Sequence, residues 1–202
     1  MRQVRIATLC GSLQAASANE AVLSVVERML VERDSEVHRV DGIDLLPPFR
    51  PDIDPPPEVV AWAAALGAAD GLVIATPEYA AGAPGVLKNG LDWLVGLSTL
   101  YRMPIVVICA GSTGGAFTIE ALIRTLSYQG GLTVGAIGIS GVRTKLSADG
   151  SDVDSETLQE LAALADRLCR AVEADEPELL SLVAPVVVPH GVDPARFGLR
   201  DS

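Results

Sequence analysis

Short aliphatic runs and amphipathic stretches alternate along the whole chain. Each aliphatic run is long enough for a buried strand, and each amphipathic stretch repeats its apolar residues at helical spacing. The runs predict strands at Val4–Leu9, Glu36–Val40, Leu72–Ala75, Ile105–Ala110 and Thr133–Ile139. The amphipathic stretches predict helices at Ala18–Val31, Glu58–Ala68, Gly85–Leu97, Ala116–Tyr128 and Glu156–Ala174. The alternation therefore predicts five βα units.

Five consecutive βα units predict a doubly wound parallel sheet with helices on both faces. Right-handed crossovers leave few strand orders, and 2-1-3-4-5 is the common order for five strands. We expect a flavodoxin-like three-layer α/β/α sandwich over residues 1–176, with its ligand at the carboxyl ends of strands one and three. Residues 177–202 are expected to form a non-helical tail, because Pro185 and Pro189 interrupt it, and to pack on the domain or on a partner subunit.

Composition narrows the class of protein. The chain is 49% hydrophobic but only 4% aromatic, as suits a parallel sheet buried on both faces. A formal net charge of -11 argues against binding to nucleic acid or to an anionic membrane. No stretch has the length of a membrane span, and Val4–Leu9 is too short for a signal-peptide core. The three cysteines and two histidines form no metal-like pattern, so we expect a cytoplasmic protein without a metal site or disulfides.

A candidate anion site follows the first strand, in the segment CGSLQAASAN at residues 10–19. Gly11 permits a tight turn, Ser12 and Ser17 carry hydroxyls, and Asn19 carries an amide. The helix beginning near Ala18 directs its free N–H groups and its dipole into the same turn. Taken alone, Ser17 is better interpreted as a helix N-cap. The phosphate motifs of NTPases and of dinucleotide-binding proteins are absent, so the turn suits a bound monophosphate such as that of FMN.

Two further loops are expected at the same edge of the sheet. The segment TPEYAAGAPGVLKNGLDWL, residues 76–94, follows strand three and is stiffened by its prolines. The segment AGSTGGAF, residues 110–117, follows strand four and offers two adjacent glycines for close approach to a flat ligand. The Pro-rich loop Leu46–Pro57 lies on this edge too, as a pocket wall or as a simple spacer.

Together the three segments resemble the NADPH-dependent FMN reductase family, flavodoxin-like enzymes that include quinone, chromate and azo-dye reductases. The family's G-S-x-R-x-x-S-x-N motif is matched at Gly11, Ser12, Ser17 and Asn19. Its T-P-E-Y-N-x-S-x-P-G-x-L-K-N-x-x-D-W motif is matched at Thr76, Pro77, Glu78, Tyr79, Pro84, Gly85, Leu87, Lys88, Asn89, Asp92 and Trp93. Its Gly-Gly loop is matched at Gly114 and Gly115. The chain departs from the family at Gln14 (usually Arg), Ala80 (Asn), Gly82 (Ser), Phe117 (often Arg) and Ile119 (often Gln).

The resemblance implies a flavin-dependent oxidoreductase that uses FMN to pass electrons from NADPH or NADH to a small acceptor in a ping-pong cycle. Quinones, free flavin, azo compounds and metal ions are the acceptor classes it suggests. It implies no catalytic side chain and no metal ligand, because the flavin carries the bond chemistry. The implied FMN-binding residues are Gly11, Ser12, Gln14, Ser17, Ala18, Asn19, Pro77, Glu78, Tyr79, Ala80, Ser112, Thr113, Gly114 and Gly115.

Two other functions stay open on the sequence. A flavodoxin-type electron carrier would suit the acidic charge, but the flavodoxin phosphate loop Ser/Thr-x-Thr-Gly-x-Thr is absent. A flavodoxin-like protein with weakened or lost flavin binding, acting as a binding or biosynthetic protein, would suit the missing Arg and Asn at positions 14 and 80.

A homodimer, or a dimer of dimers, is expected through the helix Gly85–Leu97. Beside the apolar stripe that seats this helix on the sheet lies a second stripe. The second stripe comprises Val86, Gly90, Trp93 and Leu97. Gly90 would allow close helix approach, and Trp93 is a residue type that anchors interfaces. The alternative is that the tail after Pro177 covers this stripe.

Overall fold

The computed structural model describes residues 2–199 of the chain. Its strands are β1 (Arg5–Cys10), β2 (Glu36–Arg39), β3 (Gly71–Thr76), β4 (Pro104–Gly111) and β5 (Leu132–Ser140). All the pairings within this sheet are parallel, in the order β2-β1-β3-β4-β5. The predicted sheet and its strand order are confirmed.

Helices cover the sheet on both sides. They are α1 (Ala18–Glu32), α2 (Pro57–Gly67), α3 (Gly85–Trp93), α4 (Ala116–Tyr128), α5 (Val142–Lys145), α6 (Ser155–Glu173) and α7 (Glu176–Val187). Successive side chains of a strand point to opposite faces. Val73 of β3 therefore joins the apolar cluster with α1, α6 and α7, while Leu72 joins the one with α2 and α3. None of the helices within residues 2–199 is long and apolar enough to cross a membrane.

The prediction that the segment after Pro177 is not helical was wrong. The Asp175 side chain caps α7 by accepting a hydrogen bond from the Glu178 N–H at 3.0 Å. Pro177 lies in the first turn, where a missing N–H costs nothing. Pro185 lies close to the end of the helix, so the helical bond that it removes is one of the last.

Helix α7 packs on the domain through its apolar face. Leu182 and Val183 are buried in the same cluster as α1 and α6, and α7 lies against β5. The predicted segment 177–202 also includes residues 200–202, which lie outside the described residues.

Gly90 and Trp93, two residues of the second apolar stripe of α3, are covered by the chain itself. A Cβ at Gly90 would come within 3.0 Å of the Trp62 ring, and Ile43 lies on the same side. Trp93 is only 2% exposed, and its Nε1 donates to the Pro47 carbonyl at 2.8 Å. The proposed interface roles of Gly90 and Trp93 were therefore wrong, and so was the alternative that the tail covers them. The homodimer itself stays a prediction.

The Pro-rich loop after β2 is the segment that covers α3. Asn89 accepts the Phe49 N–H at 2.7 Å through Oδ1 and donates to the Pro47 carbonyl at 3.0 Å through Nδ2. The ring of Phe49 lies edge-on to Trp93, with 5.1 Å between the centroids. Two residues of the K-N-x-x-D-W pattern, Asn89 and Trp93, thus hold a loop in place.

Candidate functional site

A cavity of about 680 Å³ opens at the carboxyl edge of the sheet, between the loops that follow β1, β3, β4 and β5. This volume lies within the range of small-molecule and cofactor sites. The residues predicted from the sequence that line it are Ser12, Gln14, Ser17, Ala18, Asn19, Pro77, Glu78, Tyr79, Ser112, Thr113 and Gly115. Gly11, Ala80 and Gly114 are not part of the lining.

The turn after β1 combines hydroxyl groups with the start of a helix. The Ser17 Oγ accepts the Asn19 N–H at 3.2 Å and caps α1, as the interpretation of this residue alone predicted. The Ser12 Oγ accepts the Gln14 N–H at 3.3 Å. A hydroxyl that accepts a hydrogen bond can still donate one. Both hydroxyls, together with the first N–H groups of α1, therefore fit a phosphate group.

Gly11 holds this turn against the neighbouring strand. Its N–H donates to the Ala75 carbonyl at 2.8 Å, in continuation of the sheet. A Cβ at this position would come within 2.6 Å of the Thr76 Oγ1. Any larger residue would push the turn away from β3, so the glycine positions the cavity wall without lining it.

Asn19 plays a different part from the one expected. It is buried, and its side-chain amide binds the backbone of Ala110 at the end of β4. The amide predicted to face a ligand thus joins two loops of the cavity. Because Ala110 is distant from Asn19 in sequence, no local sequence pattern predicts this role of Asn19.

The loop after β3 contains a tight turn in which Tyr79 and Gly82 exchange two backbone hydrogen bonds, at 2.9 and 3.0 Å. Ala80 and Ala81 occupy its centre with φ values of 49° and 58°. Such left-handed conformations cost an L-residue roughly 1–2 kcal/mol, and Asn tolerates them better than Ala. Ala80 does not line the cavity. The replacement of the family's Asn by Ala at this position therefore affects the backbone strain of the turn.

Glu78 connects the loop after β3 to the start of α4. Its Oε2 accepts the Thr118 N–H at 2.9 Å, and its Oε1 accepts the Thr113 hydroxyl at 3.4 Å. Gly115, at the N-cap of α4, has no side chain to cap the helix, so the carboxylate of Glu78 does so from the other loop. This places a fixed negative charge at the cavity wall.

The Gly-Gly loop after β4 depends on both glycines. Gly114 and Gly115 have φ values of 79° and 68°, and a Cβ on Gly115 would overlap the Cys109 Sγ. Cys109 lines the cavity, and burial, with a smaller contribution from the charge of Glu78, raises its pKa to about 12. The thiol therefore stays protonated at neutral pH and cannot act as a nucleophile there.

The sequence interpretation missed the loop after β5, which contains the short helix α5, as part of the site. The lining it contributes comprises Gly141, Val142, Arg143, Thr144, Leu146, Ser147 and Ala148. Ala16, Cys109, Ala110 and Gly111 were missed as well. The available signal was topological, because a loop after a parallel strand emerges at the same carboxyl edge as the others.

Fold and cavity together define a flavodoxin-like protein with a cavity at the switch point between β1 and β3. The model of the family described as NADPH-dependent FMN reductase matches residues 4–142. The chain therefore belongs to the NADPH-dependent FMN reductase family, which confirms the resemblance.

Two relatives are similar to this chain in sequence. A quinone reductase of Escherichia coli (strain K12) is 34% identical over 122 residues, which are 56% of this chain and 64% of the relative. A 2-hydroxy-1,4-benzoquinone reductase of Burkholderia sp is 31% identical over 173 residues, covering 81% and 93%. The chain thus spans just under two thirds of the E. coli relative's length but nearly all of the Burkholderia relative's.

The structure of FerB, a flavoenzyme NAD(P)H:(acceptor) oxidoreductase from Paracoccus denitrificans, is also similar. It superimposes with a TM-score of 0.70 at 26% identity, over 84% of this chain and 97% of that one. A flavodoxin of Bacillus cereus, with a TM-score of 0.56 at 13% identity over 82% and 97%, shares the fold.

Proposed function

We propose that this protein is a flavin-dependent oxidoreductase that holds FMN in the carboxyl-edge cavity and passes electrons from NADPH or NADH to a small acceptor. The observation that carries the proposal is the composition of the cavity wall. Hydroxyls and a helix N-terminus form one part of it, the stiff backbone of the loops after β3 and β4 forms another, and the loop after β5 completes it. The quinone reductases among its relatives favour a quinone as acceptor.

Each part of the wall suits one part of FMN. Ser12, Ser17 and the first N–H groups of α1 would hold the phosphate. Pro77–Tyr79 and Ser112–Gly115 would hold the flat ring, because glycine backbone lets a planar ligand approach closely. FMN, when bound, supplies the hydride chemistry, and the chain binds and orients it. No side chain is assigned a proton-transfer role.

A shared cavity supports the ping-pong cycle. The cavity beside the proposed ring position is bordered by Tyr79, which is 55% exposed. A reductant and an acceptor that both need the exposed face of the ring would have to occupy it in turn. We therefore infer that the nicotinamide leaves before the acceptor binds.

Steady-state kinetics test this function. The purified protein, incubated with FMN, is expected to oxidise NADPH or NADH when 1,4-benzoquinone is added, and to lose that activity when FMN is removed. Initial rates at several quinone concentrations should give parallel double-reciprocal lines. A protein that retains FMN yet oxidises neither nucleotide would favour the electron carrier. A protein that binds no FMN would favour the flavin-free binding protein.

We propose separately that the protein forms a homodimer. Beyond the end of α3, Val95 and Leu97 are 59% and 38% exposed, so the chain presents apolar surface near the predicted interface. Sedimentation equilibrium at micromolar concentration should give the mass of two chains, and the mass of one chain would contradict the homodimer.

We also propose a cytoplasmic location, because the cysteines Cys10, Cys109 and Cys169 are free thiols.

A further inference from the structure

The loop after β5 brings a positive charge to the cavity. Among the described residues that line the cavity, Arg143 is the one with a cationic side chain, and Glu78 is the one with a carboxylate. The carboxylate of Glu78 is occupied by Thr113 and Thr118. Within residues 2–199 the Arg143 guanidinium makes no ion pair. Its charge is therefore available to a ligand.

The loop is fixed at both ends, which sets where Arg143 lies. At one end the Gly141 N–H donates to the Ser112 carbonyl at 3.4 Å. At the other end the Arg28 guanidinium donates to the Gly150 carbonyl at 2.6 Å, and Gly150 packs on the backbone of Ala21. The loop thus spans from the end of β4 to the first half of α1. Arg143 lies on this span and lines the same cavity as Ser12 and Ser17 of the turn after β1.

A positive charge would strengthen phosphate binding at the turn after β1. A phosphomonoester carries about -1.5 to -2 charge at pH 7. The turn offers hydroxyls and backbone N–H groups, and its exposed Gln14 is neutral where the family usually has arginine. The whole chain carries a net charge of -11, which opposes the approach of an anion. Neutral donors alone would bind a dianion weakly compared with charge-assisted ones.

We propose that Arg143 supplies the cationic contact to the FMN phosphate, in place of the arginine that is absent at position 14. The cationic group would then come from the loop after β5 instead of the turn after β1, within the same cavity. A guanidinium suits this task because its planar donors match phosphate oxygens two at a time. This inference rests on the proposed function, since it names how that site recognises its cofactor.

The test compares FMN with riboflavin, which lacks the phosphate. Flavin-free protein is titrated with each ligand, and the quenching of flavin fluorescence gives the dissociation constants. Arg143→Gln should weaken FMN binding roughly tenfold or more, as expected for the loss of a charge-assisted contact, and leave riboflavin binding unchanged. The control is Lys145→Gln, which removes the same charge two positions away, at a residue outside the cavity lining. It should change neither constant by more than about twofold.

A rescue variant separates a phosphate contact from a structural role. Adding Gln14→Arg to Arg143→Gln should restore most of the lost FMN affinity, because it returns a guanidinium to the family's position. Equal losses for FMN and riboflavin, or equal effects of Arg143→Gln and Lys145→Gln, would overturn the inference while leaving FMN binding intact. If the unaltered protein bound neither flavin, the proposed function would fail together with this inference.

Discussion

The side chain of Asn19 and the backbone of Ala110 are joined by two hydrogen bonds. The Asn19 Nδ2 donates to the Ala110 carbonyl at 2.9 Å, and the Ala110 N–H donates to the Asn19 Oδ1 at 2.9 Å. Both residues are buried, at 3% and 2% exposure. An amide can donate and accept at once, which is what a strand end with one free N–H and one free carbonyl requires. The start of α1 is thereby fixed to the end of β4.

The first prediction follows from that pair. Asn19→Asp keeps the shape but replaces the donor by a carboxylate oxygen facing the Ala110 carbonyl, so the free energy of unfolding should fall by about 2–3 kcal/mol. Urea denaturation followed by circular dichroism measures it. Gln14→Glu makes the same chemical change at an exposed residue and should shift stability by less than about 0.5 kcal/mol. Equal denaturation midpoints for the two variants would contradict this role of Asn19.

The second prediction concerns the Gly-Gly loop. Gly115→Ala combines a left-handed backbone with an overlap against the Cys109 Sγ, so it should cost about 3 kcal/mol or more of stability. Gly85→Ala is the control, because a Cβ there meets nothing within 4 Å at the start of α3. Thermal melts of both variants give the comparison. A Gly115→Ala protein as stable as Gly85→Ala would show that this loop relaxes freely.

The third prediction uses the strained turn after β3. Ala81→Gly removes the left-handed strain and should raise the free energy of unfolding by about 1 kcal/mol, despite the added chain entropy of glycine. Ala64→Gly, on the exposed face of α2, should lower it by about 1 kcal/mol. The two identical substitutions are thus expected to have opposite signs in urea denaturation. Destabilisation by both would argue against the turn geometry.

The fourth prediction is an alkaline loss of stability caused by Cys109. Its pKa is raised to about 12 in the folded protein from an ordinary 9.0. Above about pH 9 the unfolded chain releases this proton while the folded chain retains it, so stability declines as pH rises from 9 towards 12. Unfolding free energies measured at pH 8 to 10.5 should decline less steeply for Cys109→Ala than for the unaltered protein. Parallel curves would show that the buried thiol does not contribute.

Sequence patterning predicted the sheet because β1, β3, β4 and β5 each carry an apolar run, and β3 is buried along its whole length. It predicted the loops of the site because their glycines, prolines and hydroxyls are local signals. It failed where a residue's partner is distant in sequence. Trp93 is covered by Pro47 and Phe49, which no helical periodicity reveals. Arg143 lies in the short helix α5, in a segment with no motif, and its place at the cavity follows only from the fold.

The most direct test of the central claim, that the cavity is an FMN site with a phosphate cradle, is an equilibrium titration of flavin-free protein with FMN, FAD and riboflavin. The turn after β1 suits a terminal phosphate, so we expect one FMN bound per chain, more tightly than either FAD or riboflavin. Riboflavin binding as tight as FMN binding, or no saturable flavin binding at all, would contradict it.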